Sequence, residues 1–105
     1  MRHDIVLAPS AVRELRALPP YVRTQVREAL ERHLRHEPTR LSRSRIKRLR
    51  GLAQPQYRLR IGDIRVFYDV AGDRVEVLAV VSKAQADAWL QQEGRAHEEG
   101  GAGEG

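Results

Sequence analysis

Apolar residues recur along the chain with two different periods. Val12, Leu15 and Leu18, then Val22, Val26, Leu30 and Leu34, come at steps of three or four. That repeat lines one side of an α-helix. The first set predicts a helix opened by Pro9, whose missing N–H suits a first turn, with Ser10 as a candidate cap. Pro19-Pro20 stops it, because proline cannot continue a hydrogen-bonded turn. The second set predicts a helix from about Tyr21 to Glu37, ended by Pro38, with Arg23, Arg27, Glu28, Glu31 and Arg35 mostly off its apolar stripe. Two antiparallel helices joined by a tight turn would set both stripes against one surface.

Elsewhere the step is two. Residues 3–7 predict a short strand, and Tyr57 to Ile61, Ile64 to Val70 and Arg74 to Val81 predict three more. Gly62-Asp63 and Gly72-Asp73 separate the last three; two residues with glycine first predict a tight hairpin through a II′ turn. Residues 39–46 form a polar, arginine-rich connection, Ile46, Leu49 and Leu52 offer apolar anchors near a strand start, and Gln54-Pro55-Gln56 predicts a turn. Ala84 to about Gln92 predicts a short helix carrying Trp89 and Leu90. From Glu93 the sequence EGRAHEEGGAGEG holds no large apolar side chain. It buries too little to offset its ordering entropy, so a disordered tail is expected over 93–105. The fold class is α+β: an N-terminal two-helix hairpin on a small, mainly antiparallel twisted sheet, with a short C-terminal helix, in one domain over 1–92.

A two-residue loop fixes the hairpin register. Tyr57 falls opposite Tyr68, Arg58 opposite Phe67, Leu59 opposite Val66, Arg60 opposite Arg65 and Ile61 opposite Ile64. Opposed residues share a face. Tyr57, Leu59, Ile61, Ile64, Val66 and Tyr68 therefore form the core side, and Arg58, Arg60, Arg65 and Phe67 the other. Like charges directly across a strand pair cost stability. Arginine's planar fork matches phosphate oxygens, however, and keeps its charge at any physiological pH. Phe67 beside it would stack on a base. The competing reading pairs these arginines with Glu76 or Asp69 on the strands beside them. If they are free, Arg60 and Arg65 should accept glutamate without loss of fold and with loss of activity.

Charge sharpens the picture. The 105 residues carry a net charge of +5. Between residues 40 and 65 nine basic residues, Arg40, Arg43, Arg45, Lys47, Arg48, Arg50, Arg58, Arg60 and Arg65, face one acid, Asp63. Such asymmetry points to a polyanionic partner, nucleic acid first, against the alternative of a solvated basic face. There is no cysteine, which removes disulfides and thiolate metal sites and fits a reducing cytoplasm. No apolar run approaches the ~18 residues of a membrane span. His3, His33, His36 and His97 form no ligand cluster, and no phosphate loop, dinucleotide fingerprint or nucleophile elbow occurs. Neither a metal nor a cofactor is expected.

The order of these segments resembles the RelE/ParE superfamily, the toxins of type II toxin–antitoxin modules. The resemblance rests on PSAVRELRALP after the opening strand, on the second helix ending near Pro38, and above all on IKRLRG, YRLRIGDIRVFYDV and VEVLAVV, and covers roughly residues 3–91. It implies a cognate antitoxin that wraps and neutralises the toxin. RelE-type members enter the ribosome and cut mRNA without a metal, inhibiting translation, the 2′-oxygen attacking the adjacent phosphate. ParE-type members act on DNA gyrase, and a non-toxic nucleic-acid-binding member is a third alternative.

By the same resemblance Arg58 and Arg60 would contact the scissile phosphate, Arg65 would steady the transition state, and Lys47 and Arg50 would add contacts. Arg43, Arg45, Arg48 and Phe67 complete the expected RNA-binding set. The departure lies after the last strand, where Val81-Ser82-Lys83-Ala84 leads to Trp89 and Leu90 with no tyrosine or histidine. Lys83 is left to supply charge there. Arginine's pKa, above ~12, makes it a poor proton donor, so acid–base work falls to Lys47, Lys83 or Tyr68, the last of which lies on the core side.

Overall fold

The computed structural model describes residues 1–96. Strand β1 (Asp4–Leu7) leads into helix α1 (Pro9–Ala17) and helix α2 (Pro20–Leu34). Strands β2 (Ile46–Arg48), β3 (Leu52–Gln54), β4 (Tyr57–Ile61), β5 (Ile64–Ala71) and β6 (Arg74–Ser82) follow, then helix α3 (Lys83–Glu93) and a two-residue strand β7 (Arg95–Ala96). Five strands form one sheet in the order β1-β6-β5-β4-β2, with β1 parallel to β6 and the other neighbours antiparallel. The fold is the α+β arrangement expected, and β4 pairs with β5 in the register read from the two-residue loop. Gly62 has φ of +56° and Asp63 no positive φ, as a II′ turn requires.

The helix hairpin covers one face of the sheet. Leu15, Val26, Leu30 and Leu34 pack there on Leu59, Val66, Tyr68, Val75, Val77 and Val80. Alternation alone would not put both Val77 and Val80 on that face. A bulge makes it happen: Phe67 faces Ala79 while Tyr68 faces Val77, leaving Leu78 over. Helix α1 satisfies the main-chain groups so released. The N–H of Val80 donates to Glu14 Oε1 at 2.8 Å, and Ser10 Oγ donates to the Leu78 carbonyl at 3.3 Å. Ser10 thus serves the sheet rather than the helix start, where Ala8 is the cap residue.

At three helix ends the difference from the sequence reading has a local cause. Helix α2 stops at Leu34 instead of Glu37; Pro38 disfavours helix in the residue before it, and the Pro38 carbonyl turns inward to accept from Tyr68 Oη at 2.6 Å. Helix α3 starts one residue earlier, at Lys83, because Ser82 and Gln85 form a reciprocal capping box. It also runs on to Glu93, where the Gly94 N–H donates to the Leu90 carbonyl at 2.8 Å and the chain turns to pair Arg95 and Ala96 with β3. Residues 93–96 are therefore structured. The rest of the expected tail, from residue 97, lies outside the described residues.

On the opposite face α3 lies across the sheet. Its Ala86, Trp89 and Leu90 pack with Leu49 on Phe67, Ala79 and Val81. The basic residues of the hairpin share this face with α3.

Candidate functional site

The β4–β5 turn and the start of α3 meet at one end of the sheet. The Lys83 N–H donates to the Asp63 carbonyl at 2.8 Å, which fixes the first residue of α3 beside the turn. Arg60 and Arg65 oppose each other at the last pair but one before the turn. Arg58 sits two residues back on the same face, with Lys47 of β2 opposite it. Arg60, Lys47 and Lys83 are exposed and Arg58 is half-buried.

Arg58 is under electrostatic pressure. Its Nη2 donates to the Ser44 carbonyl at 3.2 Å, whereas its Nε is buried without a partner. Burial lowers its pKa below the usual guanidinium value, and Arg65 and Arg60 push it further down. The guanidinium stays charged at neutral pH. Among the described residues no carboxylate pairs with it. The ion pairs among the described residues are Arg35–Glu31, Arg40–Glu37 and Arg74–Glu76. Asp69, the other acid considered as a partner, accepts from the Gln56 N–H and from Gln54 Nε2, each at 2.7 Å, and so braces the turn before β4.

Two members of the expected set do not stand open to a guest. Arg65 is 8% exposed, and its Nη1 donates to the carbonyls of Gly62 at 2.9 Å and Ile64 at 3.1 Å. It folds back onto the turn it follows, so glutamate in its place would strand two carbonyls and bury a charge. Arg65 cannot be exchanged as a simple surface residue. Phe67 is 1% exposed, with its ring stacked on Trp89 at 5.0 Å and 5° between planes. Helix α3 covers the ring expected to meet a base.

The other expected contacts are spread out. Arg48 alternates to the helix side, where its guanidinium lies 5.2 Å from the Tyr57 ring and Nη1 donates to the Gln56 carbonyl at 2.9 Å. Arg43 and Arg50 are exposed and lie outside the strands. Arg45 lines a cleft against α2 with Arg32 and His33, two residues that sequence reasoning did not place at a site. Their signal was a polar helix strip, Gln25, Glu28, Ala29, Arg32 and His33, at alternating steps of three and one. Tyr68 is removed from acid–base chemistry: its hydroxyl is committed to Pro38, and burial raises its pKa well above the ordinary 10.0. Among the described residues no group of three or more His, Asp or Glu side chains is arranged to hold a metal ion, and no helix is long and apolar enough to cross a membrane.

This hairpin, with its basic turn end and a helix pair behind it, has counterparts. The family model for the ParE toxin of the type II toxin–antitoxin system parDE matches residues 5–87. The chain belongs to this toxin family. The toxin resembles the toxin–antitoxin complex RelBE2 from Mycobacterium tuberculosis, at 26% identity and a TM-score of 0.65 over 78% of this chain and 99% of that one. It matches the archaeal RelE–RelB complex from Pyrococcus horikoshii OT3 at 24% identity and a TM-score of 0.66, over 81% and 99% of the two chains. A mutant of the E. coli toxin RelE in the free state matches at 24% identity and 0.64, over 85% and 92%. These last two likenesses speak to the fold. No curated protein matches the toxin.

Proposed function

We propose that the toxin is a ribosome-dependent mRNA endonuclease of the RelE type, acting in the cytoplasm and held inactive by a cognate antitoxin. The observation that carries this reading is the uncompensated charge at the turn end. Arg65 and Arg60 push the Arg58 pKa down, and none of the three takes part in an ion pair among the described residues. A phosphate entering beside Arg58 and Arg60 relieves that repulsion and gains charge-assisted hydrogen bonds. The antitoxin is inferred from the structural relatives, several of which are toxins in complex with RelB.

In this reading the 2′-oxygen of one nucleotide attacks the adjacent phosphorus, and the bond from phosphorus to the 5′-oxygen breaks. The products are a 2′,3′-cyclic phosphate and a 5′-hydroxyl. Arg60 and Arg58 meet the charge that grows on the phosphoryl oxygens, in a partly dehydrated place where such donors count most. Arg65 contributes its field and holds the turn that aims Arg60. Lys83 and Lys47, at either side, are the residues available to exchange protons with the leaving and attacking oxygens.

Translating ribosomes treated with the purified toxin, with 3′ ends mapped, test the proposal. Cuts within the ribosomal A site that vanish in Arg60→Glu are the expected result. A second reading, a gyrase inhibitor of the ParE type, draws on the family description and on the absence of a histidine or tyrosine in α3. Blocked supercoiling with intact mRNA would establish that reading and defeat the first. Expression without growth arrest would defeat both in favour of a non-toxic member.

A further inference from the structure

A second basic depression lies around the edge of β4 from the site above. The strip of α2 formed by Gln25, Glu28, Ala29, Arg32 and His33 faces Ser44, Arg45 and the segment 60–62 across a cleft of ≈ 360 Å³. Arg32, Arg45 and Arg60 bring three guanidiniums to it, against the single carboxylate of Glu28. None of these four takes part in the ion pairs of the described residues. The backbone makes the placement firm on the loop side. Ser42 Oγ accepts from the N–H groups of Arg45 and Ile46 at 2.9 and 3.0 Å, and the Arg45 carbonyl accepts from the Arg60 N–H at 2.9 Å.

We propose that this cleft is a phosphate-binding site for single-stranded RNA, in which Arg32, Arg45 and His33 hold the strand beyond the nucleotide engaged at the turn, with Arg60 shared between the two places. The inference rests on the RNA reading of the preceding section and extends the track on which the strand lies. Three cations around a cleft of this size suit a strand that brings a run of phosphodiester charges better than a lone carboxylate. A neutral imidazole among them adds a proton-dependent contact.

His33 is built for that contact. Burial first, then Arg45 and Arg32, hold its pKa below the ordinary 6.5, so the ring is neutral at neutral pH. Glu28 faces it from its own helix, and a neighbouring depression brings His36, Glu37 and Arg40 to its other side, with Glu37 already paired to Arg40. A phosphate cancels the repulsion from Arg45 and Arg32, and the ring then gains a proton and donates. Binding is therefore linked to proton uptake and strengthens as pH falls. Each unit by which RNA raises the His33 pKa corresponds to about tenfold tighter binding by the protonated form.

The test uses the full chain and a short single-stranded oligoribonucleotide, without ribosomes. The His33 ring is titrated by NMR with and without the oligonucleotide, and affinity is read by fluorescence anisotropy at about pH 7.5 and about pH 5.5, on either side of the ordinary histidine value. The oligonucleotide is expected to raise the His33 midpoint, with binding several-fold tighter at the lower pH. Arg32→Gln with Arg45→Gln should weaken binding about 5- to 10-fold, and His33→Gln should flatten its pH dependence, removing the gain at the lower pH. An unmoved His33 midpoint, or RNA affinity indifferent to the Arg32/Arg45 pair, overturns the proposal. So does a midpoint moved by polyglutamate and not by RNA, which would assign the cleft to an acidic protein segment. RNA held in the cleft without cuts on ribosomes would sink the nuclease reading alone, and cuts with a silent His33 would sink only this one.

Discussion

Arg65 and Arg60 stand opposite each other and have different jobs. Arg65 is spent on the turn through two carbonyls, while Arg60 is exposed. Arg65→Met should therefore cost about 1–3 kcal/mol, the range for stranding buried polar groups, and urea denaturation checks it. Arg60→Glu should stay within about 0.5 kcal/mol of the parent in the same experiment, as surface changes do, and abolish cleavage. Tyr68 offers a pH prediction. Its folded-state pKa is raised above the unfolded value near 10.0. The folded state thus holds the proton more tightly, so this contribution is complete below pH 10 and is lost as pH rises above it. Urea midpoints measured upward from about pH 9 should fall more steeply in the parent than in Tyr68→Phe. Which residues oppose one another was legible in the sequence, because a two-residue loop with leading glycine leaves one register. Burial of Phe67 and Arg65 was not, since alternation assigns a face and says nothing of what covers it.

Helix α3 is what covers that face, and its placement was hidden for a physical reason. Ala86, Trp89 and Leu90 make a thin apolar stripe, compatible with packing on either side of the sheet. The cap is local and checkable. Ser82→Ala removes half of the capping box and should cost about 1 kcal/mol. Trp89→Ala should cost more, roughly 2 kcal/mol, below the ~3–5 of a fully buried tryptophan because Trp89 is half-exposed. Chemical denaturation of both variants measures the difference. The strands β3 and β7 were illegible because two or three residues carry no period. Gly94 is the instructive case. In a glycine-rich stretch it reads as disorder, yet a Cβ there would stand 2.5 Å from the Leu90 carbonyl oxygen. The bulge in β6 was equally hidden, since its dependence on Glu14 and Ser10 joins residues about 66 apart in sequence.

The charge pattern governs the molecule as a whole. Engagement of about four phosphates by Lys47, Arg58, Arg60 and Lys83 gives a log–log salt slope near −3 for single-stranded RNA, measurable by anisotropy across a salt series. Replacing Lys47 by Gln should make that slope shallower by about 0.7. Because Arg95 and Ala96 lie against Leu52–Gln54, Ala96 sits toward the Tyr57 end of the hairpin. A reporter placed at Ala96 itself stands about 17 Å from the glycine bend, one five-residue strand at ~3.4 Å per residue. Labelling the toxin at this exposed position leaves the guanidiniums open to solution, which makes Ala96 the attachment of choice for a probe of RNA capture.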